Sequence, residues 1–124
     1  MSYTKAIKRL TAYTPKVLLA FNYEDRGEFC IIGLLCPSTQ PYRDMNCTLW
    51  QIIDKNPEPL QELKELGMKF SEAQRVQQIC DGWVLNKDQP IPGTRGETKE
   101  ERYWRVLRWM EEEERKRLAA KRAN

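Results

Sequence analysis

The sequence predicts an α+β fold, a mainly helical single domain with one apolar β-hairpin and a long C-terminal helix. Three observations carry this. Residues 98–124 read as one long helix, opened by a capping motif and free of Gly and Pro. Shorter stretches repeat apolar residues at three- and four-residue steps, the period of amphipathic helices. Between them, two short apolar runs flank a polar, glycine-containing turn at Tyr23, Glu24, Asp25, Arg26 and Gly27. A chain of 124 residues with 40% hydrophobic and 31% charged residues suits one domain with a modest core. The expected division is a compact domain over residues 1–110 and a long helix over residues 98–124, with four or five helices around the core.

Residues 2–13 carry Tyr3, Ala6, Ile7, Leu10 and Tyr13 on one helical face, with Lys5, Lys8 and Arg9 on the other. The helix should stop near Thr14, because a residue before proline avoids the helical region. Residues 16–22 and 28–36 are the two apolar runs, and together they read as a buried hairpin with a five-residue loop. The competing reading is a helix beginning near Cys30, since periodicity does not separate strand from helix over so few residues. Gly33 weakens either element or marks a close backbone approach.

Residues 37–45 hold two prolines and turn formers and read as loop. Asn46 or Thr48 can cap a short helix over residues 49–55, with Trp50 and Ile53 directed inward. Asn56 caps the next helix, whose stripe is Leu60, Leu63 and Leu66 and whose terminator is Gly67. Ser71 and Gln74 form a capping box for a helix over residues 71–80. Its inner face is Ala73, Val76, Ile79 and Cys80, and Gly82 ends it. Residues 83–97 lack periodicity and read as a long connection, anchored by Trp83, Leu85 and Ile91.

The last helix opens with Thr98 and Glu101 in capping-box spacing. It could run about 25 residues, or roughly 37 Å. Tyr103, Val106, Leu107 and Met110 share one face, flanked by Trp104 and Trp109. The resulting apolar arc of about 220° is wider than one packing surface requires. Beyond Met110 the pattern stops, as Glu114 and Arg117 fall on the former core face. The second half is therefore expected to be charged and to project into water.

Composition narrows the function classes. No apolar run approaches the ~20 residues that span a bilayer, and the N-terminus has no secretory pattern, so the cytoplasm is the expected compartment, with no membrane partner. There are four cysteines, Cys30, Cys36, Cys47 and Cys80, and no histidine. None of their spacings makes the close cysteine knuckle of a structural zinc site, and the thiols read as small core hydrophobes. Zinc binding, disulfides and a reactive thiol are the other readings of the same residues. Without histidine the usual base for a nucleophile is missing, and no glycine-rich phosphate loop appears. The expectation is no catalytic residue, no metal, no cofactor and no enzyme activity.

The candidate binding residues are Arg102, Trp104, Arg105, Arg108 and Trp109, where aromatic and basic side chains alternate. Arg115, Lys116, Arg117, Lys121 and Arg122 add a basic tail, which reads either as an interaction surface or as a solvated end kept basic for solubility. Trp and Arg in quantity on a protruding helix suit a protein interface. The plainer alternative is that Trp104 and Trp109 are enclosed by residues 83–97. The same alternation can stack bases and neutralise phosphates, so nucleic-acid binding is an alternative. Six glutamates in this helix oppose it, and Glu111, Glu112 and Glu113 stand four residues before Arg115, Lys116 and Arg117, as helix-supporting pairs would. A sponge for a small nucleotide signal is a third reading. Oligomeric state is left open.

The chain is short, reads as a single soluble domain, carries no catalytic signature and ends in a charged helix. In overall character the chain resembles small, largely uncharacterised bacteriophage proteins. That resemblance implies a phage or prophage origin. It also implies a host-directed role, as a binder that modulates or inhibits a host protein or defence complex.

Overall fold

A computed structural model describes residues 2–20, 22–43, 48–82 and 96–123. The elements are α1 (Thr4–Ala12), β1 (Glu24–Asp25), β2 (Glu28–Phe29), α2 (Ile31–Leu35), a 3-10 helix (Pro37–Tyr42), α3 (Leu49–Lys55), α4 (Glu58–Glu65), α5 (Phe70–Asp81) and α6 (Lys99–Ala123). The expectations for Asn46, Cys47, Trp83, Leu85 and Ile91 lie outside the described residues.

The architecture is mainly helical with a two-strand antiparallel sheet and a long C-terminal helix, as the sequence implies. The hairpin is much smaller than the two apolar runs suggest. Only Glu24 with Phe29 and Asp25 with Glu28 pair, around the turn itself. Among its described residues the first run joins no ladder. Its Leu19 N–H donates to the Phe29 carbonyl at 2.9 Å, while its Leu18 N–H donates to the Lys99 carbonyl at 3.0 Å. It is thereby threaded between β2 and the start of α6. Past β2 the second run is helix. Cys30 caps it, its sulfur accepting from the Gly33 N–H at 3.3 Å, and Ile31, Ile32 and Leu35 are wholly buried around its circumference. A helix that is apolar all round belongs inside a core, and α2 packs against α1, α5 and the 3-10 helix.

Gly33 makes that position possible. A Cβ built on it would lie 1.9 Å from the Tyr23 carbonyl oxygen. The turn therefore sits directly on α2, closer than any side chain permits. Arg9 donates to the Leu35 carbonyl at 3.1 Å, satisfying an acceptor at the other end of the short helix.

The surrounding helices follow their sequence signals with local exceptions. Thr48 and Gln51 form a reciprocal capping box on α3. Trp50 does not point inward: it is 61% exposed, while Leu49 and Ile52 are buried. Leu49 and Trp50 stand about 100° apart on a helix, so facing one inward turns the other out. On α4 the buried residues are Pro59, Leu63 and the capping Leu66, and Leu60 is exposed. Gly67, with φ 72°, ends α4 through Met68 N–H to Leu63 C=O and Gly67 N–H to Lys64 C=O, a Schellman motif. The box expected at Ser71 is displaced. Helix α5 starts at Phe70, and Glu72 accepts from the Lys69 N–H at 2.8 Å. Its inner face of Ala73, Val76, Ile79 and Cys80 is buried as read, and Gly82 caps it with φ 85°.

Helix α6 is anchored further along than its apolar pattern implies. Tyr103, Val106, Leu107 and Met110 are buried, and Tyr103 donates its hydroxyl to the Leu10 carbonyl at 3.0 Å. Beyond them, Glu114 accepts from the Tyr3 N–H at 3.2 Å and from the hydroxyls of Ser2 and Thr4. Burial raises the Glu114 carboxyl, but these donors outweigh it and hold the group below its ordinary range. Arg117 lies 4.1 Å from the Tyr3 ring centroid and pairs with Glu72. The two charged residues on the extended core face therefore clamp the N-terminus. Only the turns after Arg117 leave the body.

Two stability outcomes follow. Gly33→Ala should lower the unfolding free energy by about 3 kcal/mol or more, because the new methyl meets backbone rather than a movable side chain. An unchanged thermal midpoint would mean the turn can lift off α2. Deleting residues 118–124 should leave the melting temperature nearly unchanged, whereas deleting residues 114–124 should lower it clearly. Equal midpoints for the two truncations would show that the Glu114 and Arg117 contacts hold nothing.

Candidate functional site

The five candidate residues of α6 are divided by the fold between its interior and its surface. Arg105 is internal in function. Its Nε and Nη2 reach the Glu97 carboxylate at 2.7 and 3.1 Å, a bidentate pair in which the Glu97 side chain is only 3% exposed. The same guanidinium donates to the carbonyls of Ile79 at 2.6 Å and Cys80 at 3.2 Å. These are carbonyls of the last turn of α5, the negative end of its dipole, and the Ile79 carbonyl also accepts from the Gly82 N–H at 3.2 Å. Arg102 adds a second cation, with Nε 3.5 Å from Glu97 and Nη1 donating to the Leu18 carbonyl at 3.3 Å. One carboxylate and two arginines thus join α5, α6 and the extended segment.

Glu97 was not distinguished in the sequence from the connection it belongs to. It lies five and eight residues from its arginines, and eight residues is no helical neighbour spacing. No local signal could have found it.

Trp109 is half-buried against the core, edge-on to Tyr3 with ring centroids 5.8 Å apart. Trp104 and Arg108 stay on the surface. Trp104 is 42% exposed, its ring edge-on to Tyr103 at 5.0 Å. With Arg108, Glu101, Arg105 and Glu97 it lines an open hollow of about 430 Å³. Glu101 there is engaged in the capping box, each of its two bonds with Thr98 being 3.0 Å.

The basic tail is also partly engaged. Arg115 bonds Glu112 at 2.5 and 3.1 Å, Lys116 lies 3.6 Å from Glu113, and Arg117 pairs with Glu72. The pairs form at three-residue steps or across to α5 instead of at the expected four-residue steps. Lys121 and Arg122 are exposed.

A second surface escaped the sequence reading. Trp50, Ile53, Asp54, Leu60 and Phe70 line a shallow hollow of about 300 Å³. Trp50 and Leu60 are among the exposed large hydrophobics, while Ile53 and Phe70 are partly buried beneath them. The sequence places Trp50 and Leu60 inward, because each lies on a helical apolar stripe. The hollow arises where α3, α4 and the start of α5 meet, a juxtaposition that no single helix encodes.

Cys30, Cys36 and Cys80 are buried free thiols. Burial pushes Cys30 and Cys36 up to about 12 and Cys80 well above its ordinary value, which disfavours the thiolate needed for nucleophilic or metal chemistry. Among the described residues no three metal-ligating side chains stand together, and no helix is long and apolar enough to cross a membrane. Comparison with protein-family models, curated proteins and solved structures returned no match.

Arg105→Ala should cost about 3 kcal/mol of stability, because it strips a buried carboxylate of its bidentate partner and removes a charged donor from two helix-end carbonyls. Urea unfolding of the variant beside Trp104→Ala checks this. A loss under about 0.5 kcal/mol, the size of an ordinary surface change, would remove Arg105 from the framework.

Proposed function

We propose that this chain is a non-catalytic protein-binding protein that seats its partner on the hollow formed by Trp50, Ile53, Leu60 and Phe70. The observation that carries the reading is Trp50, 61% exposed beside the exposed Leu60 on an apolar floor. Tryptophan is the residue most enriched among interface hot spots, and an apolar centre with a polar edge is how interfaces are built. Asp54 lies at that edge, which favours a partner whose apolar side chain is flanked by a lysine or arginine.

The nucleic-acid alternative draws less support. It relied on Arg102, Arg105 and Arg108 acting together, and two of these are committed to Glu97 and to backbone carbonyls. Arg108 with Trp104 is a narrow footprint for phosphate neutralisation. The resemblance to small bacteriophage proteins makes a host enzyme or defence complex, met in the cytoplasm, the first partner to seek.

Capture from a host lysate with the wild-type chain, Trp50→Ala and Trp104→Ala tests the reading. A partner of this site should lose affinity on Trp50→Ala by at least about 30-fold, equivalent to about 2 kcal/mol. Trp104→Ala should leave its affinity unchanged. Trp50→Ala should also leave the fold intact, since the ring is mostly in water. Equal capture by both variants would exclude the hollow. Micromolar binding to DNA or RNA that weakens steeply with salt, without a retained protein, would favour the alternative.

A further inference from the structure

Helix α6 carries an exposed seam separate from the hollow above. Trp104, Arg108, Glu111, Arg115, Leu118 and Arg122 follow one another at alternating steps of four and three. At 100° per residue they fall within an arc of about 80°. All six are exposed, and Trp104 at 42% and Leu118 at 48% are the exposed large hydrophobics of this helix. Four-three spacing is the heptad spacing by which two helices pack along their length. From Trp104 to Arg122 the seam runs about 27 Å.

We infer that this seam is the interface of an antiparallel homodimer, in which α6 packs on α6 of a second copy about a two-fold axis. The charge order selects the occupant and its direction. In a two-fold contact, if one residue meets a second, the second meets the first. One antiparallel register sets Trp104 against the second copy's Arg122, Arg108 against its Leu118, and Glu111 against its Arg115. Every contact then recurs on the other side of the axis. Arg122 lies over the indole as a cation–π contact, the Arg108 stem covers Leu118, and each Glu111 gains a cation. A parallel pair would instead set Arg108, Glu111, Arg115 and Arg122 each against itself, which like charges oppose.

Arg115 already bonds Glu112 on its own helix. That pair is exposed on both sides and is worth little in water, so it yields readily. A contact of one helix per copy is smaller than a standard stable interface, so the dimer is concentration-dependent rather than permanent.

The test uses the full chain, with mass measured by sedimentation from roughly 1 µM to 1 mM, the range a weak contact occupies. The wild type should move from monomer towards dimer mass. Leu118→Lys, which faces Arg108, and Glu111→Arg, which faces Arg115, should each stay monomeric. The double variant Glu111→Arg with Arg115→Glu should regain the dimer, since it restores opposite charges at both symmetric contacts. Circular dichroism confirms that each variant keeps its helix, and Trp50→Ala should dimerise like the wild type. A chain that is monomeric throughout overturns the inference. So does a dimer that persists in Leu118→Lys, or a double variant that stays monomeric while folded.

Discussion

The Tyr23 carbonyl oxygen occupies the space where any residue but glycine at position 33 would carry its Cβ. The rest of the fold is arranged around that approach. Because the turn can rest on α2, four of the five residues of this helix are buried, with Ile31, Ile32 and Leu35 without exposure and only Leu34 partly open. An element so short has little intrinsic stability as a helix. It persists because Cys30 and Arg9 satisfy its two ends and because burial of its apolar circumference favours enclosure. Helices α1 and α5 then pack against it, and α6 packs against both of them.

Charge plays two different roles here. Glu97, Arg102 and Arg105 are largely withdrawn from solvent and act as a framework, tying α6 to the end of α5 and to the segment at Leu18. Glu114 and Arg117, further along α6 and only partly buried, tie it to the N-terminus and to α5. Buried ion pairs are weak sources of net stability, because desolvation opposes the Coulombic gain, yet removing one partner is costly. Their value in this chain is positional. They determine how α6 lies on the body, and through that which of its residues meet water.

The Trp50 hollow and the α6 seam differ in kind. The Trp50 hollow is concave and assembled from three helices, which suits a partner that inserts a side chain. The α6 seam is linear and carries charges of both signs in an order that complements itself when reversed. One surface for a foreign protein and another for a second copy are compatible, since they share no residue.

Helix periodicity, caps and terminators were legible in the sequence because they are local: Thr48 with Gln51, Thr98 with Glu101, the α5 inner face, and Gly67 and Gly82 as ends. The mainly helical class followed from them. Three decisions were made only in the tertiary structure. Residues 31–35 became helix because a fully apolar run satisfies either period, and the space beside Tyr23 selected between them. Trp50 and Leu60 turned outward because helices rotate as rigid units to bury Leu49, Ile52, Pro59 and Leu63. Arg102 and Arg105 left the candidate surface because Glu97 and the end of α5 reach them through space rather than along the chain. Local sequence encodes which residues share a face. Which face the core accepts depends on neighbours distant in sequence, and no spacing within one helix carries that information.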